Sequence, residues 1–256
     1  MPKIQVCIPI KNDAQHLPTF LEQIKKLSYP HELLKITWMY GRSVDNTLEI
    51  IQSFHKDNDF TFTIYKDPVY NNVTHSAMWM ADVCNAFKQA WHGEEYALFL
   101  DVDLELLPEN LVETLVKQNK DIIAPYIYVN EDNVKRFYDT YVFRYQGQNF
   151  SNLQVNKKEY DMFNPPFTKR KKPVELDSVG TCILIKSEPY IKVNWENPAP
   201  HYQFCKNARK LGYKVYALPS LEVYHKDVRN EPIHASVEYL ISKGLLPQHI
   251  LEKMKE

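Results

Sequence analysis

The first hundred residues alternate between short apolar runs and longer segments in which apolar residues recur at helical spacing. The apolar runs predict buried strands at Ile4–Ile10, Leu34–Tyr40, Phe60–Tyr65 and Tyr96–Leu100. Helices are predicted between them, at His16–Leu27, from a cap at Asp45–Thr47 to about Phe54, and at His75–Trp91. Strands that alternate with helices are typical of βαβ units, so we expect an α/β fold with a mainly parallel sheet.

The second half of the chain continues the pattern less regularly. Helices are predicted at Pro108–Lys117, Tyr202–Leu211 and about Ile233–Lys255, and strands at Asp121–Pro125, Val179–Lys186 and Lys214–Tyr224. Residues 126–174 are polar, aromatic and weakly periodic, and we expect them to cover the acceptor side of a cleft. No repeat or linker interrupts the chain, so residues 1–256 are predicted to form one domain, with a nucleotide-binding half at 1–103 and an acceptor-binding half at 104–256.

Composition excludes several classes of protein. The chain has 256 residues, of which 44% are hydrophobic and 25% charged, as in an ordinary globular protein. A net charge of −1 offers no field that would attract nucleic acid, so no nucleic-acid partner is expected. The four cysteines are scattered without a CxxC pair, which favours a reducing compartment. With no apolar segment long enough to span a membrane and no signal peptide, we expect a cytoplasmic protein.

Two carboxylates follow the very apolar fourth strand. Asp101 and Asp103 are two positions apart, so their side chains are expected on the same face, where they repel each other unless a cation lies between them. Oxygen ligands of this kind suit Mg²⁺ or Mn²⁺, which complete their coordination with phosphate oxygens. The alternative is a helix cap or a solvated loop. We therefore predict a metal site that carries a nucleoside diphosphate.

His225 closes the last predicted strand and could reach the same edge of the sheet. A lone histidine is more often structural, but imidazole beside two carboxylates would favour Mn²⁺ over Mg²⁺. The predicted metal-binding residues are thus Asp101, Asp103 and His225. We expect Asp103 and His225 to be direct ligands, and Asp101 to hold the ribose or a metal-bound water.

The loops after the first two strands are candidates for nucleotide binding, because ligands of parallel sheets bind beyond the carboxyl ends of the strands. Pro9, Lys11 and Asn12 lie in the first loop, and Arg42 and Asp45 lie in the second. Asp45 could accept a hydrogen bond from a base or ribose, and Arg42 could contact a phosphate. The alternative is ordinary turn and cap chemistry.

Asp177 precedes the strand predicted at Val179–Lys186 and is the candidate catalytic residue. Its carboxylate could orient the acceptor hydroxyl group or deprotonate it. The alternative is a surface charge at the start of a strand.

In their order along the chain, these segments resemble the GT-A glycosyltransferases. The opening strand with Lys11-Asn12, and the stretch Ser43–Thr47, are similar to the nucleotide loops of that family. From Asp101 to His225 the chain resembles the fungal mannan-polymerase mannosyltransferases and their bacterial and viral relatives, glycosyltransferase family 62. The segments that carry this likeness are Asp101–Asp103, Asp121–Pro125, Phe137–Thr140 with Phe143-Arg144, Asp177–Gly180, Gly212-Tyr213 and Leu218-Pro219.

The resemblance implies a Rossmann-like domain with helices on both faces of the sheet, a nucleotide-sugar donor linked to GDP or UDP, Mn²⁺, and transfer to a hydroxyl group of a glycan or glycoconjugate. In that family the donor is GDP-mannose and the anomeric configuration is retained. Unlike the fungal enzymes of that family, the chain is expected to have no membrane anchor. It also reads Asn197–Gln203 where relatives carry an acidic pair.

The sequence therefore predicts a metal-dependent hexosyl- or pentosyltransferase, and two alternatives remain. A sugar nucleotidyltransferase would need a glycine-rich loop after the first strand, and residues 9–14 contain no glycine. A non-catalytic protein that binds carbohydrate or nucleotide sugar is the second alternative, against which the two aspartates and His225 argue.

Overall fold

A ten-stranded mixed sheet organises the residues that the computed structural model describes, which are 1–41, 43–66, 76–131, 133–150, 167–197 and 199–226. Its strands are β1 (Ile4–Ile10), β2 (Leu34–Tyr40), β3 (Thr61–Lys66), β4 (Tyr96–Phe99), β5 (Leu104–Leu106), β6 (Ile122–Glu131), β7 (Val134–Phe137), β10 (Val174–Leu176), β11 (Ile183–Lys186) and β12 (Val215–His225). The short strands β8 (Arg144–Tyr145) and β9 (Gln148–Asn149) form a separate hairpin.

The helices are mostly short and connect successive strands. They are α1 (Leu17–Lys25), α2 (Thr47–Lys56), α3 (Ser76–Ala86), α4 (Leu111–Lys117), α5 (Ser187–Lys192) and α6 (Pro200–Lys210). Two 3-10 turns lie at His31–Leu33 and Phe87–Ala90. In α1 the buried side chains recur at helical spacing, at Leu17, Phe20, Leu21 and Ile24. That spacing gives the helix one apolar face to bury.

The sheet runs in the order β10-β12-β6-β11-β4-β1-β2-β3. From β3 to β4 every pair is parallel, and β6 and β12 are also parallel to each other. β11 is antiparallel to both of its neighbours, β4 and β6. The predicted α/β architecture is confirmed, in a mixed sheet whose longest pairings are parallel. Because β4, β1 and β2 run the same way, the loops that follow them meet at one edge.

The predicted bounds are met at two strands of the sheet and differ by a few residues elsewhere. β1 and β2 have the predicted bounds, whereas the strand predicted at Val179–Lys186 begins only at Ile183. The predicted strand Asp121–Pro125 continues to Glu131. The predicted helix His75–Trp91 is α-helical over Ser76–Ala86 and then tightens into a 3-10 turn. The helix predicted at 233–255 lies outside the described residues.

The structure also shows the state of the cysteines and the lengths of the helices. All four cysteines are buried and free of disulfide bonds. Among the residues with described coordinates, no helix combines the length and apolarity needed to cross a membrane.

Candidate functional site

The aspartate pair lies in a turn at the carboxyl end of β4. β4 is buried between β1 and β11, and its last hydrogen bond to β1 joins the Leu100 amide to the Cys7 carbonyl at 3.1 Å. The chain then turns, with the Leu104 amide donating to the Asp101 carbonyl at 3.4 Å, and enters β5. The turn therefore presents Asp101 and Asp103 at the edge of the sheet where parallel α/β folds bind ligands.

Strand pairing brings His225 to Asp103. β5 pairs with the end of β12 so that Leu104 lies opposite His225, and the Lys226 amide donates to the Asp103 carbonyl at 2.9 Å. His225 Nε2 lies 3.0 Å from Asp103 Oδ2. The short strand between Asp103 and Leu106 thus places side chains from distant parts of the sequence in direct contact.

The charges at this edge are strongly coupled. Burial and, after it, the neighbouring carboxylates of Asp103 and Asp139 together raise the pKa of Asp101 to about 8. Burial disfavours the protonated ring of His225, but the hydrogen bond and charge of Asp103 outweigh it and raise the pKa of His225. This excess of buried negative charge is the environment that a bound cation would stabilise.

The residues present fit a divalent ion. Asp103 Oδ2 and His225 Nε2 lie 3.0 Å apart as a hydrogen-bonded pair. A carboxylate oxygen and an imidazole nitrogen are both ligands that Mn²⁺ accepts, and a cation bound here would take the place of the proton that they share. In addition, His225 Nδ1 lies 2.8 Å from the Lys226 carbonyl and can donate its proton there, which leaves Nε2 as the metal-facing nitrogen.

The structure brings two candidate ligands of a metal ion, Asp103 and His225, into contact. Within the described part of the chain, no group of three or more His, Cys, Asp and Glu side chains forms a complete cage for a metal ion. The prediction that Asp101 is a third ligand therefore stays a prediction. Two protein ligands suffice for an ion of the Mg²⁺ or Mn²⁺ type when phosphate oxygens and waters fill the other positions.

The two loops predicted to bind the nucleotide are tied to each other. The Asn12 amide donates to Ser43 Oγ at 3.0 Å, and the Val44 amide donates to Asn12 Oδ1 at 2.8 Å. Asp45 accepts from the Ala14 amide at 3.1 Å through one oxygen and from Thr47 through the other.

Asp45 therefore binds Thr47, the first residue of α2, and bridges the two loops. A nucleotide contact by Asp45 stays a prediction. Pro9 is the penultimate residue of β1 and lies beside Met39 of β2. Lys11 is the first residue of the loop after β1, and its amide donates to Asp13 Oδ2 at 3.0 Å. Arg42 lies outside the described residues.

Asp177 lies in a cleft beside α6. Its Oδ1 forms an ion pair with Arg209 at 2.7 Å, and its Oδ2 accepts from the Gly147 amide at 2.6 Å. Both oxygens are thus engaged, which favours an orienting role over that of a base. A catalytic role for Asp177 stays a prediction.

Two residues of the site, Asp139 and Tyr138, were not among the predicted site residues. Burial raises the pKa of Asp139 to about 6, and the Thr181 hydroxyl donates to its Oδ2 at 2.9 Å. The Tyr138 ring stacks on the His225 ring with centroids 3.7 Å apart. They follow β7 in an aromatic stretch, and no periodicity marks them. Only their place in a segment that resembles a known family could have singled them out.

The family is decided by a direct match. Residues 5–193 match the model of the family described as glycosyl transferase family 2. The matched range includes the aspartate turn and both loops. The chain belongs to glycosyl transferase family 2.

Relatives of this family 2 chain include subunits of fungal mannan polymerases. The chain is 24% identical to the mannan polymerase II complex anp1 subunit of Schizosaccharomyces pombe, with 87% of this chain and 64% of that protein aligned. It is 20% identical to the ANP1 subunit of Saccharomyces cerevisiae, with 87% of this chain and 55% of that protein aligned. The predicted resemblance to this group is confirmed, although the chain spans less than two thirds of either protein.

Solved structures confirm the predicted GT-A fold of this family 2 chain. The mannosyltransferase PcManGT from Pyrobaculum calidifontis, solved in complex with GDP-Man and Mn²⁺, superposes with a TM-score of 0.62. The alignment covers 95% of this chain and 64% of that one at 14% identity, so it carries the fold alone.

Proposed function

We propose that this chain is a metal-dependent glycosyltransferase that moves a sugar from a nucleoside-diphosphate sugar to a hydroxyl group of a glycan or glycoconjugate. The contact between Asp103 and His225, 3.0 Å long at the end of β4, is the observation that carries the proposal. It brings together a carboxylate and an imidazole that would hold a cation, at the edge of the sheet where a nucleotide would lie. Family membership supports the reaction class.

The roles of the residues follow from their positions. Asp103 and His225 hold the cation, and Asp101 binds the ribose, a coordinated water or the ion itself. A bound Mn²⁺ or Mg²⁺ ion supplies Lewis-acid stabilisation of the charge that develops on the departing diphosphate. Tyr138 stacks on the imidazole and keeps its plane fixed.

The donor and acceptor sides are separated by the aspartate turn. Lys11, Asn12 and Asp45 form the wall against which the nucleoside packs, since their loops are already joined by hydrogen bonds. Asp177 lies on the acceptor side, where the ion pair with Arg209 holds it in one orientation. A fixed carboxylate of this kind positions an acceptor hydroxyl group for attack.

GDP-mannose is the proposed donor and a mannose-containing glycan the proposed acceptor. The fungal relatives support this choice, because they are subunits of mannan polymerases. The mannosyltransferase from Pyrobaculum calidifontis also supports it, because that protein was solved with GDP-Man and Mn²⁺. UDP-linked donors are the competing choice.

A second candidate is a protein of the same fold that binds nucleotide sugar without transferring it. One observation favours it: the first turn of α6 has no acidic side chain. This is the region in which the resemblance implies an acidic pair. Both candidates require nucleotide binding, and they differ only in turnover.

Release of free nucleoside diphosphate from a panel of GDP- and UDP-linked sugars tests the proposal. The protein is assayed with Mn²⁺, with Mg²⁺ and with a chelator, in the presence of manno-oligosaccharide acceptors. We expect release from GDP-mannose that depends on the metal and rises with acceptor. Binding of GDP with no release from any donor would favour the non-catalytic candidate, and release at the same rate in chelator would exclude metal dependence.

A further inference from the structure

A cleft between the β8–β9 hairpin and α6 lies beside Asp177. It encloses a cavity of about 350 Å³. The charged and aromatic residues that line it are Arg144, Asp177, Tyr202, Lys206 and Arg209. On α6, Tyr202, Lys206 and Arg209 recur at helical spacing, so the helix presents one continuous stripe to the cleft.

The cleft carries more positive than negative charge. Arg209 is paired with the single aspartate of the lining at 2.7 Å, which leaves Arg144 and Lys206. Among the residues that the structure describes, neither of these two cations has an ion-pair partner. Two cations that line one cavity without an ion-pair partner provide a place where an anion would be stabilised.

Arg144 is held rigidly in this position. Its guanidinium lies 3.8 Å from the ring centroid of Tyr202 and 5.2 Å from that of Tyr141. Its backbone is fixed on both sides, since its amide donates to the Ser178 carbonyl and its carbonyl accepts from the Asp177 amide at 2.7 Å.

The Nε of Arg144 is a further sign of an absent ligand. This atom is buried and has no hydrogen-bond partner in the described part of the protein. An arginine donor that is buried without a partner loses its water and gains nothing in return, which costs about 1–3 kcal/mol. A planar guanidinium already fixed by stacking is preorganised to donate two parallel hydrogen bonds to a carboxylate or a phosphate.

We propose that this cleft is a binding site for an oxyanion group, a phosphate or a carboxylate, carried by the acceptor. Arg144 would supply the directional contact and Lys206 a second positive charge. The assignment of the ligand as an acceptor rests on the proposed function, whereas binding of the oxyanion does not.

The position of the cleft suits an acceptor subsite. Asp177 in its wall and Thr181, which donates to Asp139 near the aspartate turn, are four residues apart. A chain of four residues spans at most about 14 Å. A short saccharide can therefore extend from the cleft towards the reacting centre, with its anionic group anchored at Arg144.

Calorimetry tests the site directly, without metal or donor. The probes are inorganic phosphate, glucose 6-phosphate, glucuronate and the neutral methyl glucoside. We expect the two anionic sugars and phosphate to bind and the neutral glucoside not to bind. Binding of phosphate alone would contradict a subsite for a saccharide, and binding of the neutral glucoside equal to that of the anionic sugars would overturn the oxyanion site.

Variants with matched controls locate the site. Arg144→Gln and Lys206→Gln should each weaken glucose 6-phosphate binding on the order of tenfold, because a hydrogen bond or contact to a charged group is lost. Arg144→Lys keeps the positive charge but loses the planar guanidinium group. Its affinity for glucose 6-phosphate should lie between those of wild type and Arg144→Gln. Lys56→Gln removes the same charge from an exposed position on α2, which joins β2 to the opposite edge strand β3, and should bind as wild type.

Two further measurements separate this proposal from its alternatives. Thermal unfolding of each variant shows whether Arg144 only stabilises the fold. A large loss of thermal stability, with unchanged anion affinity of the folded protein, would overturn the oxyanion site. GDP affinity in Mn²⁺ should be unchanged in all four variants. If glycosyl transfer fails while anions still bind, the proposed function is wrong and the oxyanion site stands. If Arg144→Gln binds anions as tightly as wild type while glycosyl transfer is observed, the oxyanion site is wrong and the proposed function stands.

Discussion

Two histidines, the buried His55 and the partly buried His201, are held in the neutral state by tryptophan side chains. Trp38 Nε1 donates to His55 Nε2 at 2.6 Å, and Trp195 Nε1 lies 3.3 Å from His201 Nδ1 and can donate to it in the same way. Protonation of either accepting nitrogen would set two N–H groups against each other. Burial lowers the pKa of each histidine to about 4.

These two pairs predict that acid destabilises the protein well above the range of ordinary carboxylates. In the unfolded chain both histidines titrate near 6.5, so below that pH the unfolded state takes up protons that the folded state excludes. The free energy of unfolding should therefore fall as the pH drops from about 6.5 towards 4, by at most about 1.4 kcal/mol per pH unit for each histidine.

Urea unfolding of wild type, His55→Gln and His201→Gln at several pH values between 7.5 and 4.5 checks this prediction. Glutamine can still accept from the indole but does not titrate, so each variant should show a shallower pH dependence than wild type. The exposed His92, changed to Gln, is the control and should follow wild type. Parallel curves for all four proteins would show that these histidines do not govern acid stability.

At the scale of elements, Asp45 couples the start of α2 to the loop after β1. One oxygen accepts from the Ala14 amide, and the other accepts from the amide and hydroxyl of Thr47. Asp45→Ala removes all three contacts. We expect a loss of stability of about 1 kcal/mol, as for other residues that cap helices, together with weaker binding of GDP in Mn²⁺, because the two loops are no longer joined.

Chemical unfolding and calorimetry measure the two effects separately. Asp57→Ala, at the exposed C-terminal end of the same helix, is the matched control and should change neither GDP affinity nor the loop structure. If Asp45→Ala lowers stability but leaves the GDP affinity of the folded protein unchanged, Asp45 is only a cap.

The sequence was most informative where burial alone decides the element. β1 and β2 are largely buried and bounded by polar loops, and their ends were predicted correctly. Pro125 suggested the end of a strand, yet β6 continues past it. The reason is tertiary: the pairing of β6 with β12 shifts register between Leu218 and Glu222, so both strands pass their prolines without the usual ladder.

Part of the candidate site was predictable, because its residues follow buried strands. The locations of Asp101, Asp103 and His225 followed from strand ends, which the apolar pattern marks. The contact between Asp139 and Thr181 depends on a close approach at Gly180, where an added Cβ would lie 2.6 Å from Asp139 Oδ2. No local pattern in the sequence encodes that approach, because the partners come from separate loops.

At the scale of the whole molecule, the site exists because the sheet joins its two halves. β4 belongs to the parallel half, and β12 returns from the far end of the described chain to pair with β5 just after the aspartate turn. Asp103 and His225 therefore meet only in the complete sheet. If both serve one cation, they must act as a unit, and that is the central claim of the proposed function.

The most direct test is a Mn²⁺ titration of GDP-mannose turnover in wild type, Asp103→Ala, His225→Ala and the double variant, with Mn²⁺ affinity measured on the same proteins by calorimetry in the presence of GDP. We predict that each single change weakens Mn²⁺ binding and lowers turnover on the order of 10²–10³-fold. The double change should add little, because groups that act as a unit are strongly non-additive. Wild-type Mn²⁺ affinity in His225→Ala, or losses that multiply in the double variant, would contradict a shared ion.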